Sequence, residues 1–208
     1  MRSEPVTLGA KGDVGLASVL SQIRACRVCE NDLPFGPRPI VQFGSGASLA
    51  IIGQAPGRKV HASGVPWDDA SGVRLRSWLG LSVEEFYDPG FVALMPMGFC
   101  YPGSASSGDL PPRPECAPLW HDRLLPFLAP GHLWVIIGAY AQRRYLADQS
   151  GTLTDIVQRS LDDLSHRVVL PHPSPRNQGW FAKNPWFATE LLPRVQARIA
   201  TLRLASRL

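Results

Sequence analysis

Four short apolar runs, each stopped by glycine or proline, constrain the fold of this 208-residue chain more than any other feature. They are SLAIIG (48–53), FVALMP (91–96), LWVIIG (133–138) and RVVLP (167–171). Short apolar runs bounded by turn residues read as buried strands. Stretches of helical character fall between and beyond them, at 13–25, 70–80, 115–128, 139–147 and 185–205. Strands alternating with helices predict an α/β protein, a three-layer α/β/α sandwich around a central four-stranded parallel sheet. Ligands of such sheets bind beyond the carboxyl ends of the strands. The chemically unusual segments begin at those ends: GQAPG after the first run, PMGFC after the second and HPSPRN after the fourth.

The length suits one α/β domain, 1–208, with a sizeable core. A 45% hydrophobic and 18% charged composition is that of an ordinary globular chain. Twenty prolines and nineteen glycines concentrate in connections such as LPFGPRP and YPGSASSGDLPPRP, which implies a scaffold with long, shaped loops. The net charge of +4 comes mostly from arginine, which suits bidentate contact with phosphate and permits a polyanionic partner. No apolar run has transmembrane length, and MRSEPVTLGAKGDVG carries no apolar core of a signal peptide. A cytoplasmic protein without a membrane partner is expected. There is no internal repeat.

Cys26, Cys29, Cys100 and Cys116 give C-x2-C, a gap of 70 residues, then C-x15-C. Without an export signal, disulfides are disfavoured by a reducing compartment. C-x2-C at a helix end with two further cysteines in loops has the spacing of a four-thiolate metal site, which zinc and a [4Fe–4S] cluster both accept. The plainer alternative makes Cys100 and Cys116 small buried residues and Cys26–Cys29 a redox pair.

In IIGQAPGRKVHASGVPWDDASGVRLRSWLG (51–80), Gly53 and Gly57 let the chain turn sharply and Pro56 stiffens the turn. Such a turn can aim N–H groups at an anionic oxygen. Trp67 then offers a rigidly presented aromatic face, unless it merely packs. Asp68 and Asp69 precede a helix whose Val73, Leu75, Trp78 and Leu79 are expected to face the core; either acid also serves as a helix cap. At the end of the fourth run, VVLPHPSPRNQGWF (168–181) fixes His172 between prolines, with Trp180, Phe181, Trp186 and Phe187 as core anchors for the loop.

Together, GQAPG-x6-GVPW and HPSPRN make the sequence resemble the uracil-DNA glycosylase superfamily over roughly residues 26–190. The iron–sulfur (family 4) members carry G-E-A-P-G-x2-E-D-x2-G-x-P-F. Gly53, Ala55, Pro56, Gly57, Gly64 and Pro66 match it in register, with Trp67 at the position of the stacking phenylalanine. GVPWDDASGVRLRSWLG is similar to a segment of the single-strand-selective glycosylases, and HPSPRN-x2-WF is similar to the H-P-S-P motif of family 1.

The resemblance implies removal of uracil from DNA by base flipping and hydrolysis, a DNA repair activity that leaves an abasic site, on single or double strands, by a monomer. It implies that His172 donates a hydrogen bond to the departing base, as an oxyanion hole does; a neutral ring with one N–H suffices. Gly53 and Ala55 would line the base site, Ser174 would bind a phosphate, and Arg176 with Asn177 would stand where family 1 inserts a leucine into the duplex. The cysteine spacing is similar to that of the family 4 cluster ligands, which implies [4Fe–4S] ahead of zinc, as a structural tie between the N-terminal helix and the loop at 100–116.

Departures from the pattern matter. The aspartate of family 1 is Ala55 here, and the glutamate of family 4 is Gln54, which orients water but supplies no charge. The family 4 acidic pair falls on Val60 and His61. The missing carboxylate falls to Asp68 or Asp69, or His61 acts on the water; Asp68, directly after the stacking position, ranks first. The base-reading asparagine falls at Pro96, beside Met95, and neither side chain pairs with a base edge. Two other readings remain: a relative in which His172 traps the sugar covalently, and a non-catalytic iron–sulfur DNA-binding protein.

Overall fold

The computed structural model describes residues 8–106, 108–147 and 150–206. Residues 1–7 and 207–208 of the expected domain, including the start of the stretch scanned for a signal peptide, lie outside the described residues. A parallel sheet of four strands forms the centre, in the order β2-β1-β5-β6. The strands are β1 (Leu49–Ile52), β2 (Val92–Leu94), β5 (Leu133–Ile137) and β6 (Arg167–Leu170), and a two-stranded hairpin, β3 (Ser104–Ala105) and β4 (Gly108–Asp109), stands apart. Leu49 pairs with Val92 on one side and Leu133 on the other, and Ile137 pairs with Leu170 at the far edge. Every residue of β1 and β2 is buried, so these runs carry no polar alternation: both faces are covered.

The helices are α1 (Leu8–Arg24), α2 (Arg58–Ser63), α3 (Ala70–Leu79), α4 (Val83–Phe86), α5 (Cys116–Leu124), α6 (Gly138–Tyr145), α7 (Leu153–Asp162), α8 (Gln178–Lys183) and α9 (Leu192–Ala205). The chain steps outward from β1 to β2, then back across β1 to β5. With right-handed crossovers, that reversal puts α3 and α5 on opposite faces, which makes the three layers. α3 packs on α9, and α5 on α1. The reversal also opens a crevice at the carboxyl ends of β1 and β5.

All four expected strands form within a residue or two of their sequence bounds. The expected helix 115–128 closes early, its end tightening into a 3-10 turn at Leu125–Phe127, and 185–205 begins with a π-helical turn at Phe187–Leu191. Helices α2, α4, α7 and α8 and the hairpin were not anticipated. On α3, Leu75, Trp78 and Leu79 are buried, but Val73 is 61% exposed. The core-facing position one turn before Leu75 belongs to Gly72, because a Cβ there would lie 1.7 Å from the Trp67 carbonyl oxygen. The expected aromatic anchors do meet: Trp78 contacts Phe181 and Phe187 edge-on at 5.3 and 4.9 Å, and Trp180 contacts Trp186 at 5.9 Å. Among the described residues, no helix is long and apolar enough to cross a membrane.

The clash at Gly72 is with backbone and has no soft side chain to yield. Gly72→Ala is expected to destabilise the fold by about 3 kcal/mol, measured as a lowered urea midpoint at unchanged slope.

Candidate active site

Immediately beyond β1 the chain turns through Gly53–Gly57. The turn is held from behind: Met97 N–H donates to Gly53 O at 2.9 Å and Gly98 N–H to Gln54 O at 3.0 Å. The chain returns through Pro66 and Trp67. Trp67 is the one non-glycine described residue with positive φ (59°), a conformation that costs an ordinary side chain about 1–2 kcal/mol. Local contacts hold it there. Tyr87 Oη–H donates to Pro66 O at 3.0 Å, and Asp69 caps α3 by accepting from Gly72 N–H at 2.8 Å. The indole lies over Gly53, where a Cβ would sit 2.8 Å from Cζ2. Glycine at 53 is therefore a space requirement.

From the other side, β6 ends in Pro171 and delivers His172. Asn177 Nδ2–H donates to His172 O at 2.7 Å, and Arg74 Nη1–H donates to Pro173 O at 3.3 Å. Ser174 Oγ accepts from Arg176 N–H at 3.3 Å, which closes a 3-10 turn and leaves the hydroxyl proton able to donate outward. The His172 and Trp67 rings stand 5.9 Å apart, planes inclined by 29°. Burial pushes the His172 pKa below its ordinary value of 6.5, against the opposing fields of Asp69 and then Asp109. The ring is thus neutral near pH 7, with one N–H to donate.

These parts line one cleft of about 450 Å³. Of the residues singled out in the sequence, Gly53, Gln54, Ala55, Trp67, His172, Ser174, Arg176 and Asn177 line it. Two do not. Asp68 is exposed and outside the lining, because the left-handed turn at Trp67 sends the next side chain outward and the one after it, Asp69, inward. His61 lies on α2 with its ring against Phe35 and Tyr101, at 5.9 and 5.7 Å, while Val60 lines the cleft. Burial lowers the His61 pKa as well. Asn177 is engaged with the His172 backbone through its amide nitrogen.

Two contributors had not been anticipated. Asp109, on the hairpin, lines the cleft; its signal was an acid within the glycine- and proline-rich GDLPP. His121 is buried behind the cleft, its Nε2 3.0 Å from Pro96 O and its Nδ1 2.5 Å from Tyr145 Oη. The carbonyl only accepts, so Nε2 carries the proton and Nδ1 accepts from the tyrosine. Burial lowers this pKa to about 4. The neutral ring holds Pro96, which lines the cleft, in place.

A second cavity is ringed by Cys26, Cys29, Cys100 and Cys116 with apolar neighbours such as Ile23, Phe99 and Trp120. All four thiols are free of disulfides. Phe99 N–H donates to Cys116 Sγ at 3.3 Å. Burial pushes Cys100 up to about 11 and Cys116 up to about 12, so deprotonation there needs a compensating cation. Among the described residues, no group of three or more His, Cys, Asp or Glu side chains is set to hold a metal ion. Four thiols around one apolar hollow are a donor set that a zinc ion and an iron–sulfur cluster would both accept once deprotonated.

An imidazole, an aromatic face and an outward hydroxyl are gathered at the carboxyl edge of a parallel sheet, where α/β proteins bind their ligands. The family model of the uracil DNA glycosylase superfamily matches residues 41–196. The match spans most of the chain, and the chain belongs to that superfamily. With it comes DNA glycosylase activity, hydrolysis of the bond between base and sugar in DNA repair, and DNA as the partner.

Because burial lowers its pKa, the His172 ring proton resonance is expected to titrate with a midpoint below 6.5 in an NMR pH series. Above that midpoint the uncharged ring predominates.

Proposed function

We propose that the protein is a monofunctional uracil-DNA glycosylase, monomeric in action, that draws the base out of the DNA stack and hydrolyses its bond to the sugar with water. The observation that carries this reading is the shared cleft of His172, Trp67 and the turn at 53–57. Base departure leaves negative charge on the ring, and the His172 N–H is placed to stabilise it in a partly desolvated site. Trp67 supplies the stacking face. Ser174 donates to a phosphate beside the extruded nucleotide, while exposed Arg176 enters the duplex or holds its backbone. Exposed Arg58 and Lys59, at the exit of the turn, add phosphate contacts.

Asp69 takes over part of the work of the carboxylate that Ala55 lacks. Its Oδ1 is held by the Gly72 N–H at the amino end of α3, which positions the side chain to face positive charge that develops on the sugar. Gln54 reads the base edge. Among the described residues its carboxamide has no hydrogen-bond partner, and it offers both a donor and an acceptor, which Pro96 cannot. We propose further that Cys26, Cys29, Cys100 and Cys116 hold a [4Fe–4S] cluster as a structural tie; bound there, it supplies cross-linking of three chain segments.

Purified protein is expected to release uracil from a uracil-containing oligonucleotide, and His172→Ala to lower the single-turnover rate about 100-fold. Full activity in that variant removes the assigned role. The cluster predicts iron and sulfide in near-equal amounts in anaerobically purified protein, with both lost in Cys100→Ser. Protein that binds zinc in place of iron, or no metal, refutes it.

A further inference from the structure

The cleft contains a carboxylate that comes from neither the strand-end turn nor the start of α3. Asp109 stands on β4, opposite Ser104 of β3. Its Oδ1 accepts from Ser104 Oγ–H at 2.8 Å, and Ser104 Oγ lies 2.5 Å from the hydroxyl of buried Tyr101. The second oxygen is directed at the turn beyond β1: a Cβ on Gly57 would sit 3.2 Å from Oδ2. Gly57 has φ −82° and ψ 176°, a conformation open to any residue, so backbone freedom does not explain the glycine. What it leaves is room for this oxygen. Ala55, in the same turn, has only a methyl side chain and carries no charge. Arg176 closes the arrangement from the far side, because a Cβ on Gly108 would meet its Nη1 at 2.0 Å.

We propose that Asp109 is the catalytic carboxylate that accepts the proton of the attacking water. This rests on the hydrolytic reading above. The two acids of the cleft are differently bound. Asp69 is fixed on a backbone N–H at a helix start, which commits its Oδ1 to the cap. Asp109 is held through one oxygen by a hydroxyl, and its other oxygen faces the turn. In the step, a lone pair of the water oxygen forms the bond to the sugar carbon C1′ while a water proton passes to Asp109 Oδ2. The bond from C1′ to the base breaks, and its electron pair leaves on the base, whose carbonyl oxygen accepts a hydrogen bond from the His172 N–H, which keeps its proton. The departing base anion then takes the proton from Asp109. One water is consumed, and one free base and one abasic site result.

The test is single-turnover excision on uracil-containing DNA by wild type and Asp109→Asn, with binding to DNA bearing a tetrahydrofuran abasic analogue measured in parallel. Asp109 is exposed, so the variant is expected to fold. A rate loss of about 100-fold, with affinity for the analogue within about threefold of wild type, is the expected result. A loss smaller than about tenfold in an active background overturns the inference and leaves the glycosylase reading standing. Affinity lost in proportion to rate also overturns it, since the hairpin then only supports DNA. A wild type that releases no uracil brings down the hydrolytic reading and this inference together.

Discussion

The close approach of Trp67 to the end of β1 is the contact on which the cleft depends. One residue in a left-handed conformation turns the chain back over the strand, and two glycines make the approach sterically feasible. Gly53 admits the indole ring and Gly72 admits the Trp67 carbonyl. The turn decides which of two adjacent acids looks inward. It also sets the distance from the aromatic face to the imidazole arriving from β6. Strain of this kind persists only where surrounding bonds over-determine it, and here the Tyr87 hydroxyl and the α3 cap do so.

The polar chemistry follows from burial at that place. His172 is neutral because the cleft desolvates it, and its backbone, not its ring, bears the positioning hydrogen bond from Asn177. Among the described residues no ring nitrogen of His172 is engaged, so the ring is free to turn a donor toward an arriving oxygen. His121 has the opposite arrangement, with both nitrogens committed, and it serves as a rigid support beneath Pro96. Two neutral imidazoles thus do different work according to whether their nitrogens are occupied.

How much of this was legible in the sequence depended on the range of the signal. The strands could be read because both of their faces are buried and the apolar run is unbroken. Helices α2 and α4, of six and four residues, are too short to show a period, and the two-residue strands of the hairpin show none. Helix α7 did carry a local signal, the Thr152/Asp155 capping box, which periodicity alone does not weigh. Motif positions located His172, Trp67 and the turn. They could not separate Asp68 from Asp69, because the difference is a single backbone dihedral at Trp67. Nor could they find Asp109, which reaches the cleft only through the tertiary placement of a loop.

That loop links the two cavities. Cys100 and Cys116 bound a segment of chain that includes the whole hairpin, and both face the cysteine-lined hollow. Between them, Tyr101 is buried against Phe35 at 5.5 Å and bonds Ser104, which in turn bonds Asp109. A short loop pinned at both ends loses much of its conformational freedom, and an exposed acid on it keeps its position without being packed. In the proposed reading the thiolates therefore do more than stabilise the fold. By fixing the ends of this loop they hold a carboxylate over a turn whose own residues, Ala55 and Gly57, carry no acid and leave space for one.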